Sequence, residues 1–210
     1  FVRADLNLHR DQLANDQRNS GALDQLQDTN IQQVGLTGQI DRGFGLHLLT
    51  LGVEGLGEQA ESPRFDEPAE RLRGAVYAQD EWSLSADGAT VLVLGARLDA
   101  DSRFGSFTSP RLALRHDPTA DWALQAAVGR GFRAPEFTEM LLLFENPSAG
   151  YRVVGDPGLS PERAWTADAG VTWRPRRRLE LKLNAFATRV SDLIQVAAEG
   201  APAPGAPQTF

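Results

Sequence analysis

Few side chains in this 210-residue chain are placed to do covalent chemistry. Cysteine is absent, which removes thiol catalysis, disulfides and zinc-thiolate sites. The three histidines are His9, His47 and His116, and only His116–Asp117 sets a base beside an acid. Adjacent residues of a strand point to opposite faces, so that pair is a poor catalytic dyad. Glu136 and Glu139 would meet on a short helical turn, an arrangement common in ordinary loops. No catalytic residue, metal site or cofactor is assigned. Arginine is the richer signal. The planar guanidinium fork binds oxygen anions in pairs and stacks on rings, and Arg97, Arg103, Arg111, Arg133 and Arg152 offer five such forks. In a wet interior an arginine simply pairs with an acid such as Asp99. Tyr151 adds a phenol that ligates iron in some sites and packs in most. The net charge of −7 argues against nucleic acid as a partner, since phosphates call for a basic surface.

What must hold these arginines is a set of alternating strands. In the hairpin Trp165–Arg189, residues Trp165, Ala167, Ala169, Val171 and Trp173 share one face and Thr166, Asp168, Gly170 and Thr172 the other. Leu179, Leu181, Leu183, Ala185 and Ala187 continue the oily face after the turn, opposed by Glu180, Lys182, Asn184, Phe186 and Thr188. Similar alternation predicts nine strands near 1–9, 30–40, 44–54, 72–84, 89–99, 109–116, 122–130, 164–173 and 179–189. Tight turns are expected at Asp41–Gly43, Ser85–Gly88, Asp117–Asp121 and Arg174–Arg178. Longer polar connections are expected at 10–29, 55–71, 100–108, 131–163 and from 190 onward, where Ala201–Phe210 reads as loop.

Short and long connections therefore take turns, as in a transmembrane barrel with short periplasmic turns and longer extracellular loops. Tryptophan at both ends of a small apolar face suits the two membrane–water boundaries. A soluble sandwich also alternates, but has no reason to keep strict alternation of its connections. No stretch approaches the apolar length of a spanning helix. The expected fold is all-β, an antiparallel transmembrane β-barrel segment. Leu92, Leu94, Ala96, Leu98, Leu112 and Leu114 face lipid, while Val91, Val93, Gly95, Arg97, Asp99, Arg111, Ala113 and Arg115 face the lumen. Nine strands with two free edges imply further chain elsewhere, and neither an initiator Met nor a signal peptide opens the sequence.

The string Gly131-Phe132-Arg133-Ala134-Pro135 precedes a degenerate box, Asp156-Pro157-Gly158-Leu159-Ser160-Pro161-Glu162. Tyr77–Trp82, Gly95–Asp99, Ser109–Leu114, Asn184–Phe186 and Val190–Ile194 stand in order around them. Together these resemble TonB-dependent outer-membrane receptors from about residue 44 onward. The resemblance implies that 1–210 is part of a plugged barrel of about 22 strands in a Gram-negative outer membrane. The plug, the TonB-binding segment and the signal peptide would lie outside it. It implies import of a scarce metal chelate such as a ferric siderophore, with TonB, lipid and lipopolysaccharide as partners. Arg97, Arg103, Arg111, Arg133, Tyr151 and Arg152 are the candidate ligand contacts at the mouth and in the long loop. A passive porin-like barrel, or a haem or cobalamin receptor of the same family, is the alternative; no histidine lies between the two boxes, which disfavours haem. The acidic stretch 54–70, with Glu54, Glu58, Glu61, Asp66, Glu67 and Glu70, reads as a solvated loop, or as a cation bridge to lipopolysaccharide.

Overall fold

The computed structural model describes residues 2–15, 25–65, 67–146, 150–176, 178–198 and 208–209. Nine antiparallel strands form one sheet: β1 (Val2–Asn15), β2 (Gln25–Phe44), β3 (His47–Glu61), β4 (Ala69–Ser83), β5 (Thr90–Asp101), β6 (Gly105–Thr119), β7 (Trp122–Arg133), β10 (Glu162–Arg176) and β11 (Leu179–Ser191). Each pairs with the next along the chain, and β10 pairs with β7 because the elements between them leave the sheet. Those elements are helix α1 (Phe137–Leu141) and strands β8 (Leu143–Asn146) and β9 (Tyr151–Val154). A short β12 (Gln208–Thr209) adds to β9 in parallel. The sheet is open, with β1 and β11 as its edges. Among the described residues no helix is long and apolar enough to cross a membrane.

The two faces sort as the alternation demands. Pairing puts Val53, Val76, Leu98 and Thr108 in one row, and Ile40, Leu51, Ala78, Ala96 and Pro110 in the next. The large apolar members of these rows lie open on the surface, Ile40 at 66% and Val53 at 55% exposure, as does Leu183 of β11 at 71%. In water such a face would be a liability; against acyl chains it is the required one. Aromatic rings gather where the short turns lie. Phe44 stacks on His47 and His47 on Trp82, with centroids 5.4 and 5.3 Å apart, and Trp122 stacks on its register partner Trp173 at 5.4 Å. Trp165 sits at the other end of the same face. This is the belt that amphipathic rings form at the edge of hydrocarbon.

Four expectations need correction. The β2–β3 hairpin does not turn at Asp41–Gly43: β2 continues to Phe44 and the turn is Gly45–Leu46, with Gly45 at φ +57°. Glycine at the first central position is what a type II′ turn requires. The 100–108 connection shrinks to three residues, Ser102–Phe104, closed by Gly105 at φ +81°. The acidic stretch is mostly strand. Glu54, Glu58 and Glu61 lie on β3 and Glu70 on β4, while Asp66 lies outside the described residues. Likewise the C-terminal tail contributes a strand at Gln208–Thr209 rather than loop alone; 199–207 and 210 lie outside the described residues.

Candidate functional site

Mid-wall, the sheet carries a groove of about 640 Å³ whose lining includes the lumen residues Glu54, Tyr77, Arg97, Ser109, Arg111 and Asp168. Arg97 donates to Glu54 at 2.6 Å and to Asp99 at 2.8 Å, and its guanidinium lies 5.8 Å from the centroid of Tyr77. Tyr77 lies across Gly52, where any Cβ would collide with its ring, and its hydroxyl donates to Gln39 Oε1 at 2.8 Å. A side chain on β4 thereby reaches past β3 to β2, and Gly52 is the residue that lets it pass. Arg111 differs from Arg97. Its register partners are Gly95 and Gly129, both without side chains, and it is exposed with no hydrogen-bond or ion-pair partner among the described residues.

Towards the long connections the lumen face closes under a roof. The segment leaving β7 folds back as α1, β8 and β9, and α1 packs over the inner side of β3 and β4. Phe137 and Met140 bury against Ala60, Phe65 and Ala69, with Ile31, Phe104, Leu141 and Leu159 at the margin. The Leu143 N–H donates to Arg64 C=O at 2.8 Å and Gly155 N–H to Leu142 C=O at 2.6 Å. A Cβ on Gly155 would fall within 2.8 Å of the α1 backbone, so only glycine allows this approach.

Below the roof lies a chamber of about 750 Å³. Glu58, at 6% exposure, accepts from Arg71 at 2.9 Å, Arg73 at 2.8 Å and Gln33 at 2.7 Å. Arg71, buried too, also donates to Pro135 C=O at 2.8 Å and lies over the Phe137 ring at 5.1 Å. It ties the wall to the roof through two kinds of contact, the hydrogen bond to Pro135 and the cation–π contact with Phe137. Arg133 makes a second tie. Its guanidinium donates to both oxygens of Glu162 and both of Glu139, at 2.8 to 3.0 Å. Glu162 Oε1 also accepts from Ile194 N–H at 2.8 Å. Burial pushes the Glu139 carboxyl up, but Arg133 and the Glu136 N–H outweigh it and hold the group below its ordinary value.

The expected contacts therefore divide. Arg97 and Arg133 are each held by two carboxylates, and Arg152 donates to Thr209 at 2.7 Å. Tyr151 rests beside Phe144 at 6.1 Å. Arg103 is exposed at the β5–β6 turn, and Arg111 is exposed in the groove. The first box lies at the roof's root: Gly131, Phe132 and Ala134 line the chamber, Phe132 stacks on Phe107 at 4.2 Å, and Pro135 is fully buried. In the second, Asp156 accepts from Gly158 N–H at 2.8 Å across Pro157, Leu159 packs on the roof core, and the buried Pro161 delivers Glu162 to Arg133. Glu58, Arg71 and Arg73 were not foreseen; only the β3–β4 register, which sets Glu58 opposite Arg71, could have shown them. His116 bonds to Thr90 and Asp117 to Arg115, so the two do not form a dyad.

An oily outer face, an aromatic belt and a charged inner face under a roof define a length of transmembrane β-barrel wall with a covered mouth. The family model described as TonB dependent receptor-like, beta-barrel matches residues 2–209, and the chain belongs to that family. It is thereby an outer-membrane protein of Gram-negative bacteria. An iron-regulated outer membrane virulence protein of Vibrio cholerae is 31% identical over 158 residues, covering 72% of this chain and 24% of that protein. The chain thus spans about a quarter of that relative. The siderophore receptor PirA of Pseudomonas aeruginosa superposes with a TM-score of 0.75 at 21% identity, covering 87% of this chain and 37% of PirA. A mutant of the ferric enterobactin receptor PfeA of the same organism, solved with enterobactin, gives 0.77 at 17% identity, covering 100% and 36%. The family is one of receptors and transporters rather than enzymes.

Proposed function

We propose that this chain is a part of the barrel wall of a receptor that imports an anionic metal chelate, a ferric siderophore of the catecholate kind. Capture would begin at the exposed Arg103 and pass to the lumen groove, with a plug supplied by chain outside 1–210 and moved by TonB. The observation that carries the reading is Arg111. It is a guanidinium on the lumen face, flanked by glycines, with no ion-pair partner among the described residues, in a groove of ligand-pocket size. The paired arginines hold the wall and roof in shape, and Arg111 is left for an anion. Tyr151 and Arg152 serve the roof more than the ligand.

The test is titration of the full-length protein with ferric enterobactin, followed by tryptophan quenching. Arg111→Gln should weaken binding by about ten- to a hundredfold, the worth of one charge-assisted contact. Unchanged affinity in a folded Arg111→Gln protein would remove Arg111 from the site. Ion conductance by the wild-type protein without TonB would instead favour a passive pore.

A further inference from the structure

The lipid-facing surface carries a cluster of charge that transport does not use. On the outer face, next to the Gly45–Leu46 turn, pairing sets Arg42 opposite Leu49 and Leu49 opposite Asp80. One row nearer the turn come Phe44, His47 and Trp82, stacked in series. The His47 Nδ1–H donates to Asp80 Oδ2 at 2.8 Å. Asp80 Oδ1 is shielded from solvent and has no hydrogen-bond partner among the described residues. Arg42 is exposed and has no partner among the described residues. Farther up the wall from Asp80, Ala78, Leu94, Ala96, Pro110, Leu112 and Val128 form a shallow apolar groove of about 550 Å³.

A carboxylate on a lipid-facing strand is costly unless something supplies a donor. His47 supplies one donor to one oxygen, and the other oxygen lacks one. The aromatic belt puts this cluster at headgroup depth, on the short-turn side and therefore at the periplasmic leaflet. The available charges are one cation and one anion, two strand spacings or roughly 10 Å apart at Cα. We infer that the cluster binds a phospholipid with a primary-amine headgroup, its phosphate on Arg42, its ammonium on Asp80 and an acyl chain in the groove. An anionic headgroup would satisfy Arg42 but face Asp80 without an ammonium. A choline headgroup carries the charge but no N–H to donate. Lipopolysaccharide belongs to the other end of these strands.

Native mass spectrometry of the full-length protein in detergent, titrated with dioleoyl phosphatidylethanolamine, phosphatidylglycerol and phosphatidylcholine, tests this. The wild type should retain the ethanolamine lipid about tenfold better than either of the others, a difference of about 1.4 kcal/mol. Asp80→Asn should abolish the preference over phosphatidylcholine, and Arg42→Gln should weaken all three alike. Arg42 has no partner among the described residues, and Arg42→Gln gives a second readout if Asp80→Asn fails to show the heat-modifiable mobility of a folded barrel. Equal retention of the three lipids, a preference for phosphatidylglycerol, or Arg42→Gln binding as the wild type does would each overturn the assignment.

Discussion

The wall and the roof bury opposite kinds of residue. In the wall the large apolar side chains are on the surface, while near the mouth charged side chains are buried: Glu58, Arg71 and Asp101 lie at 6 to 7% exposure. In the roof the order reverts to that of a protein in water, with Met140 at 1% and Phe137 at 5% at the centre of the cluster. The difference follows from the solvent on each side. Lipid rewards apolar exposure, so the wall gains stability from its paired backbone and from its outer face without an interior core. The roof stands outside the hydrocarbon, where burial of apolar surface is the main drive. Its core closes only because the loop 62–65, the β5–β6 turn and α1 meet there. The two regions are joined by the hydrogen bond and cation–π contact of Arg71 and the ion pair of Arg133 with Glu139, so each should fail in its own way.

The largest separation is expected from Met140→Ala, which should cost the roof about 2–5 kcal/mol through the cavity it leaves. Limited proteolysis of the full-length protein should then cut within 134–161 while the barrel keeps its urea midpoint in vesicles. A midpoint that falls in step with the roof would show one cooperative unit. The complementary variant is Leu94→Arg, a charge on the lipid face, expected to cost about 2–4 kcal/mol. Val93→Arg, one residue away and facing the lumen, should cost little. If the two arginines destabilise alike, the assignment of faces is wrong.

The sequence carried the wall further than the roof, for reasons that differ by element. Between the belts a strand must show apolar residues outward at every second position, so all nine strands were visible. Above the belt that demand lapses. Val53 gives way to Gly55, Gly57 and Gln59 on the same outer face, and the upper half of β3 looked like an acidic loop. Gly43 looked like a turn residue because nothing local distinguishes it from Gly45; only the backbone shows which one takes positive φ. Strands β8 and β9 are too short for periodicity to mark, and α1 is a single turn and a half. Arg97 was legible as an acid-paired lumen residue. Glu58, Arg71 and Arg73 were not, since their meeting depends on register between strands.

The finest test of the boundary concerns Glu139. Its carboxyl is held below its ordinary value in the folded protein, so it stabilises the roof above the pKa of the unfolded chain. That contribution is lost as pH falls through the folded value, on the acid side of the ordinary glutamate range. Protease protection of the roof should therefore weaken on acidification while the wall keeps its heat-modifiable mobility. The effect should be small, because Arg133 retains Glu162 and the group is partly open to solvent. Glu139→Gln should flatten this acid limb and lower protection slightly at neutral pH. If the acid limb persists unchanged in Glu139→Gln, the sensitivity belongs to another carboxylate, and Glu162, which also anchors Ile194, is the next to test.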